Sequence, residues 1–546
     1  MKILLPASGL LFALCFPANA QSEWKSLFNG KNLEGWTITI DKEKPGEDAD
    51  KLVQIRDGAI HMYPDTDPET KVPFGVITHS GTFSRFHLAL EYRWLEKRFS
   101  PRKAALRDAG LLYHASNTGK IWPPSVEYQI QEGDSGDIIF IEESGLSWMH
   151  PEPAMAPKGQ GDAGLLPENG GFPRIAQSFT YFGRFPEYDH PTGWNRAEVI
   201  VHADESAEHI LNGHVRSRLA NIRHLTGGAL KEGKICLQLE GAEIQYRDVQ
   251  IRELDEPLRA DRGVASLSAV LDQQARDQTV TVRNPLDRPL AAELSIDGVD
   301  AGAFTAHAEK MMLAAGESMH VHLRFRPTHG AGRYSAGLRI GSPESGAFVV
   351  LQGIGLAAFE GKNEPALQSI VHALGIPLDV GGKSLELDTN ADSIGKGIAA
   401  SAFVTAGTGK VRVTPLARFS PPGDTPFGFT LAGAMEVELG ILTDSKELPD
   451  AHQCLFPPLK DGAAAVEFSP PASASFSLWM QGPKYTSSTI PGAAKGATIK
   501  HTGRVFPVSD FQGRVLENAW LVGFEEAANG DYQDGLFLIE NVRPAP

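Results

Sequence analysis

The sequence predicts an all-β protein built from several sandwiches, on three observations. Apolar and polar residues alternate with period two in many short runs, glycine (56) and proline (37) are plentiful as turn formers, and runs with a helical apolar period are few. The 546 residues, 42% hydrophobic and 22% charged, match ordinary globular usage and exclude a largely disordered or collagenous chain. They suffice for roughly three to four domains of ~150 residues. The net charge of −16 argues against a sequence-independent nucleic-acid binder, which needs a basic surface to displace counterions, so no nucleic-acid partner is expected.

At the start, Lys2, the apolar stretch 3–16 and the small-x-small site Ala18-Asn19-Ala20 read as a secretory signal peptide over residues 1–20. The chain is therefore expected to be exported, to a periplasm or the exterior. Leu14 precedes Cys15 where a lipobox needs a small residue, so lipidation is not expected. No later segment is long and apolar enough to span a membrane. Cys236 and Cys454 are read as two buried thiols rather than a bridge, and neither CxxC nor HExxH appears.

The first block, 21–256, is rich in Trp, Tyr and His. In the run 87–95, Leu88, Leu90, Tyr92 and Trp94 should face a core, with Glu91 and Arg93 turned away. Further strands are expected at 110–115, 126–131, 138–141, 197–202, 209–211, 234–239 and 244–253, with a turn-rich stretch at 151–173, which together suggest a β-sandwich. The second block, 261–356, offers strands at 278–283, 320–326, 334–340 and 348–353, with Val321, Leu323 and Phe325 inward, in a sandwich of immunoglobulin size. Its segments Thr281–Asn284, Leu313–Ser318, Leu323–Pro327, Gly332–Tyr334 and Leu351–Gly353 resemble the Hydin-like class of Ig modules, which implies packing or adhesion and no catalytic residues. The third block, 357–546, is Gly-, Ala- and Pro-rich, with short strands at 400–405, 411–414, 435–441, 475–479, 519–525 and 536–540, read as a further sandwich. Within it, Glu525, Asn529, Asp531 and Asp534 look like the acidic ends of exported β-modules that hold calcium. Their hard oxygen donors suit that ion, and a solvated acidic loop is the rival reading.

Chemistry is expected in the first block. Glu127, Gln129 and Gln131 share one strand face, and Gln238 and Glu240 another. Such carboxylates and amides suit a sugar-binding cleft, and equally the solvated side of an antiparallel sheet. The segments Ser26–Trp36, Leu90–Arg93, Val126–Asp134, Trp194-Asn195, His209–Gly213 and Leu237–Ile251 follow one another in an order similar to the 3-keto-disaccharide hydrolase (3-keto-glucoside lyase/hydratase) family. That resemblance implies a concanavalin A-like jelly roll, a carbohydrate substrate and cleavage of 3-keto-glycosides. A ketone at C3 acidifies the C2 hydrogen, a base removes it, the C1 substituent leaves by β-elimination, and water adds back. The long loops at 96–108 and 145–190 exceed the compact family pattern.

The chemistry needs a base near C2 and a donor or cation at the C3 oxygen. On that reading Glu127 is base or metal ligand, His209 acid/base, and Arg93 or Arg247 the donor at the oxyanion. Gln129, Asn212, Gln238, Glu240 and His114 are expected to bind substrate. Structural rivals stand beside these roles: Glu127 pairing with Arg93, His209 as a satisfied histidine, and Arg247 as an ion-pair partner. Glu127, His209 and Glu132 could hold a divalent ion such as calcium, manganese or zinc, and no organic cofactor is implied. Trp36, Trp122 and Trp148 are candidate sugar platforms. A non-catalytic carbohydrate-binding or cell-surface interaction protein is the alternative function, and an ordinary glycosidase a third.

Overall fold

The computed structural model describes residues 22–41, 49–151, 162–176, 181–183, 188–382, 389–400, 402–431, 436–444, 451–471 and 474–546. The signal-peptide reading of 1–20 lies outside them, as does part of the long loop 145–190. Described residues 25–253 form a sandwich of a ten-stranded and an eight-stranded sheet. In the ten-stranded sheet, Arg85–Arg98 lies centrally between Asn195–His202 and Ala242–Glu253. Leu88, Leu90, Tyr92 and Trp94 enter the core as expected, while Glu91 and Arg93 remain partly exposed. In the eight-stranded sheet, Ile138–Ile141, Ser125–Gln131, Asp108–Ala115, Lys234–Leu239, Gly75–His79 and Trp36–Ile40 follow one another antiparallel. The apolar residues of both inner faces form one core, including Leu88, Tyr92, Tyr113, Tyr128, Leu237 and Tyr246. Burial of such alternating rows is the main favourable term holding the two sheets together.

Residues 259–356 contribute two four-stranded sheets, one centred on Gln278–Arg283 and Ser318–Phe325, the other on Ala347–Leu356 and Gly332–Ile340. Val321, Leu323 and Phe325 point into the core between them. Residues 403–544 form two six-stranded sheets enclosing Phe403, Val413, Phe427, Leu478, Val522 and Phe537. The scarcity of helical periods did not anticipate the helix Leu367–Ala373, whose Leu367, Ile370 and Val371 pack with Ile354 and Leu356 in the core of this last block. Among the described residues, no helix is long and apolar enough to cross a membrane. Cys236 is buried and free, whereas Cys454 is also free but only partly buried, correcting the expectation that both thiols are enclosed.

The second sandwich docks on the ten-stranded sheet. Arg218 binds Glu168 and Glu208, and Arg339 of the second block reaches the same Glu208 at 2.7 Å. His87 Nδ1 meets Glu344 at 2.6 Å and His202 Nε2 donates to the Pro343 carbonyl at 2.9 Å.

Candidate functional site

On Ser125–Gln131, Val126, Tyr128 and Ile130 enter the core, so Glu127, Gln129 and Gln131 project from the other face of the eight-stranded sheet. The next strand sets Asp108 opposite Gln131, Gly110 opposite Gln129 and Leu112 opposite Glu127. One strand further on, Leu237 and Leu239 are core residues, which turns Gln238 outward, and Glu240 follows at the strand end. Gly110 makes the meeting of these groups possible. A Cβ there would lie 2.0 Å from Gln238 Oε1 and 2.3 Å from Glu127 Oε1, so the two side chains occupy the space over the glycine.

Asp108, Glu127 and Glu240 are 5%, 5% and 8% exposed. Arg102 pairs with Asp108 and lies 3.3 Å from Glu240 Oε2. Gln131 Nε2 donates to Asp108 Oδ2 at 2.9 Å, and Trp122 Nε1 donates to Glu240 Oε1 at 3.1 Å. One guanidinium thus pairs with two of the three enclosed carboxyls, and its charge also acts on the third, Glu127. Burial, then the charge of Glu240, pushes Asp108 up to about 8; burial and the charges of Glu240 and Asp108 push Glu127 well above the carboxylate range; burial raises Glu240. Asp108 Oδ1, Gln129 Oε1 and Gln238 Oε1 are buried without a hydrogen-bond partner, whereas the Gln238 side chain hydrogen-bonds Glu127 and works against the effect of burial on that carboxyl. Leaving such an atom unpaired costs ~1–3 kcal/mol, so three on one face mark a surface suited to a polar ligand.

Segment 116–124 crosses in front of this face. Thr39 Oγ1 donates to the Thr118 carbonyl at 3.5 Å, and Trp122, 41% exposed, stands edge-on to Phe74. Solvent therefore meets Trp122 and Arg102 before the carboxyls. A separate recess of about 1230 Å³, lined by Met149, Phe172, His372, Leu516 and Trp520 among others, carries none of the expected site residues.

Of the expected groups, Glu127, Gln129, Gln238 and Glu240 converge, and five do not. His209 lies fully buried between the sheets: its Nδ1 donates to the Gly136 carbonyl at 3.1 Å, and its Nε2 takes the Tyr113 hydroxyl at 3.0 Å. Desolvation pushes it down to about 4, so it is a neutral core histidine, not an acid/base at the face. His114 is also interior, donating to the Ala203 carbonyl at 3.1 Å and pushed down by burial to about 4. A bulge explains its position. Lys234 pairs with Ala115 and Cys236 with Leu112, so Tyr113 and His114 together oppose Ile235 and the outward alternation breaks.

Arg93 and Arg247 lie on the ten-stranded sheet, both against Trp194, with guanidinium carbons 4.6 and 3.9 Å from its ring centre. Arg93 donates to Gln245 and Arg247 pairs with Glu91, so neither reaches Glu127, and the expected Glu127–Arg93 pair does not form. Asn212 is a turn residue: its φ of 49° and the 82° of Gly213 fit a tight hairpin, and its amide donates to the Tyr188 carbonyl and Asn195 Oδ1. Glu132 is held by Arg98 and Arg107, principally Arg107, which lowers its carboxyl pKa. With His209 in the core, the expected Glu127, His209 and Glu132 metal set is not assembled. Trp36 and Trp148 are buried; Trp122 alone of the three platform candidates lies at the face.

The reading along the sequence missed Asp108 and Arg102. Asp108 carried a usable signal, since Asp108, Gly110 and Leu112 share a face by alternation. Arg102 sits in an irregular stretch, where spacing says nothing about direction.

Residues 23–252 match the model of the 3-keto-alpha-glucoside-1,2-lyase-like domain, a carbohydrate-related family. No curated protein matches the chain. Among solved structures, a proposed glycosyl hydrolase from Parabacteroides distasonis is 19% identical, with 42% of this chain and 94% of that chain covered and a TM-score of 0.26. A galectin-like-fold protein of unknown function from Bacillus subtilis is 13% identical, with 40% and 90% covered and a TM-score of 0.23. A carbohydrate-binding module from Bacillus subtilis is 10% identical, with 43% and 97% covered and a TM-score of 0.19.

Proposed function

We propose that this chain is an exported carbohydrate-active enzyme whose 3-keto-alpha-glucoside-1,2-lyase-like domain cleaves 3-keto-glycosides at the face around Gly110. The observation that carries this reading is the convergence there of three high-pKa carboxyls with unpartnered amide and carboxyl oxygens. A carbon acid beside a ketone needs a base stronger than an ordinary carboxylate, and burial provides one in Glu127. Ionised Glu127 takes the C2 proton, and the electron pair moves into the C2–C3 bond to give an enediolate. Arg102, freed from Asp108, faces the C3 oxygen. The enediolate then expels the C1 substituent, which takes a proton from Asp108 or Glu240, and water adds across the new double bond. Gln129 and Gln238 hold hydroxyls through their unpaired atoms, and Trp122 offers its exposed ring to the sugar. Entry requires the Trp122 and Arg102 side chains to swing aside.

The enclosure of the carboxyls behind Trp122 favours a second reading, a module that holds sugar on Trp122 without turnover. One assay separates the two, using purified full-length protein with a 3-keto-glucoside and its unoxidised parent. The enzymatic reading expects turnover of the ketone alone. Glu127→Gln should lose roughly 10²–10⁴-fold in kcat, and Arg247→Ala, on the other sheet, should stay within about threefold of wild type because it touches no reacting group. Binding without turnover of either sugar would establish the module, and cleavage of the parent an ordinary glycosidase.

A further inference from the structure

The linker between strands Arg514–Phe524 and Gly535–Glu540 folds around one carboxylate. Glu525 Oε1 accepts the Ala527 N–H at 2.7 Å, and Oε2 accepts those of Gly530 and Asp531 at 2.8 and 2.9 Å. Wrapping the backbone this way brings carboxyl oxygens of Glu525, Asp531 and Asp534 to within 4.8 Å of one another. Glu525, Asp531 and Asp534 are 0%, 2% and 4% exposed, and among the described residues none forms an ion pair with a basic side chain; the buried Arg418 guanidinium acts on the neighbouring Glu526 instead. Asn529 and Gln533 donate to Asp531 Oδ2 at 2.7 and 3.0 Å, yet Asp531 Oδ1, equally buried, has no partner.

Enclosing three like charges with no ion-pair partner among them is strongly unfavourable, so Glu525, Asp531 and Asp534 must take up protons or a cation. The geometry points to a cation. Asp531 Oδ1 is a buried acceptor without a partner, on a carboxyl that brings an oxygen within 4.8 Å of Glu525, whose own two oxygens already receive backbone N–H groups. A single divalent ion satisfies that oxygen and offsets the crowded charge together, whereas protons must be added one carboxyl at a time.

We propose that Glu525, Asp531 and Asp534, with the Asn529 amide at the rim, form a calcium site that closes the 525–534 linker. The donors are all oxygen, which selects a hard cation over zinc. A buried, multi-carboxylate, irregular set favours calcium over magnesium, which keeps its waters and demands near-octahedral geometry. This site lies in the last block and does not depend on the chemistry proposed for the first.

The test uses the full chain, stripped with chelator and dialysed. Calcium is expected to raise the melting temperature saturably by several degrees, and magnesium at the same concentration by much less. Terbium should give sensitised luminescence through Tyr485 and Tyr532, displaced by calcium. Asp531→Asn and Asp534→Asn should each remove both responses while melting no lower than wild type in chelator, since each relieves repulsion. Stripped wild type that responds to neither calcium nor terbium overturns the proposal even if the variants fail to fold. An equal response to magnesium, or a calcium response retained by both variants, overturns it as well.

Discussion

Asp108 shows how much a single enclosed group can shift the balance of the fold. Its carboxyl is raised from 3.8 to about 8 by burial and then by Glu240. The folded chain therefore keeps a proton that the unfolded chain has lost. This contribution to stability is fully present below the unfolded value and is lost as pH rises through the folded one. Melting followed between about pH 5 and pH 9 should show wild type losing stability with increasing pH. Asp108→Asn, which cannot ionise, should lose distinctly less over that range. A variant with the same slope as wild type would mean that Asp108 is ionised throughout. The two histidines go the opposite way: burial lowers both His114 and His209 to about 4, so neither titrates near neutrality.

At the scale of the strand, the site depends on an absence. Gly110 lets Glu127 and Gln238, from strands on either side of its own, meet across it. Gly110→Ala should fold, because the colliding atoms are side-chain ends that can rotate away. It should nonetheless weaken sugar binding or turnover at least tenfold, the scale of a ~1.4 kcal/mol misplacement. Titration with the 3-keto-glucoside, alongside circular dichroism to confirm folding, measures this. Unchanged affinity and turnover would show that the face over Gly110 is not where substrate sits. The same strand carries the bulge that draws His114 inward, so a single element both builds the site and withholds a residue that the family resemblance assigned to it.

Across the whole molecule, the second sandwich docks on the sheet opposite the acidic face, which leaves that face uncovered by this neighbour. The joint centres on Arg218, whose guanidinium carbon stands 4.0 Å from the Phe348 ring centre and whose nitrogens serve Glu168 and Glu208. Its strong local field lowers the Glu208 carboxyl against the opposing effect of burial. Arg218→Ala would strand Glu168 and leave Glu208 to Arg339 alone, a loss of ~3–5 kcal/mol. Calorimetry should show the joint transition of the first two blocks moving to lower temperature or splitting in two. A melting profile superimposable on wild type would mean that the blocks unfold independently of this contact.

The order of residues along each strand sets which way most side chains face, because alternation is a local property of an extended chain and needs no partner. Glu127, Gln129, Gln238 and Glu240 were legible for that reason, as were the core rows of Arg85–Arg98 and Ser318–Phe325. Tertiary structure decided which of those faces meet. It placed Arg93 and Arg247 on the other sheet, turned His209 into the core and made Asn212 a hairpin turn, since strand pairing and packing depend on contacts far apart in sequence. It also brought in Asp108 and Arg102, whose roles arise only when distant strands and an irregular loop close over the same glycine.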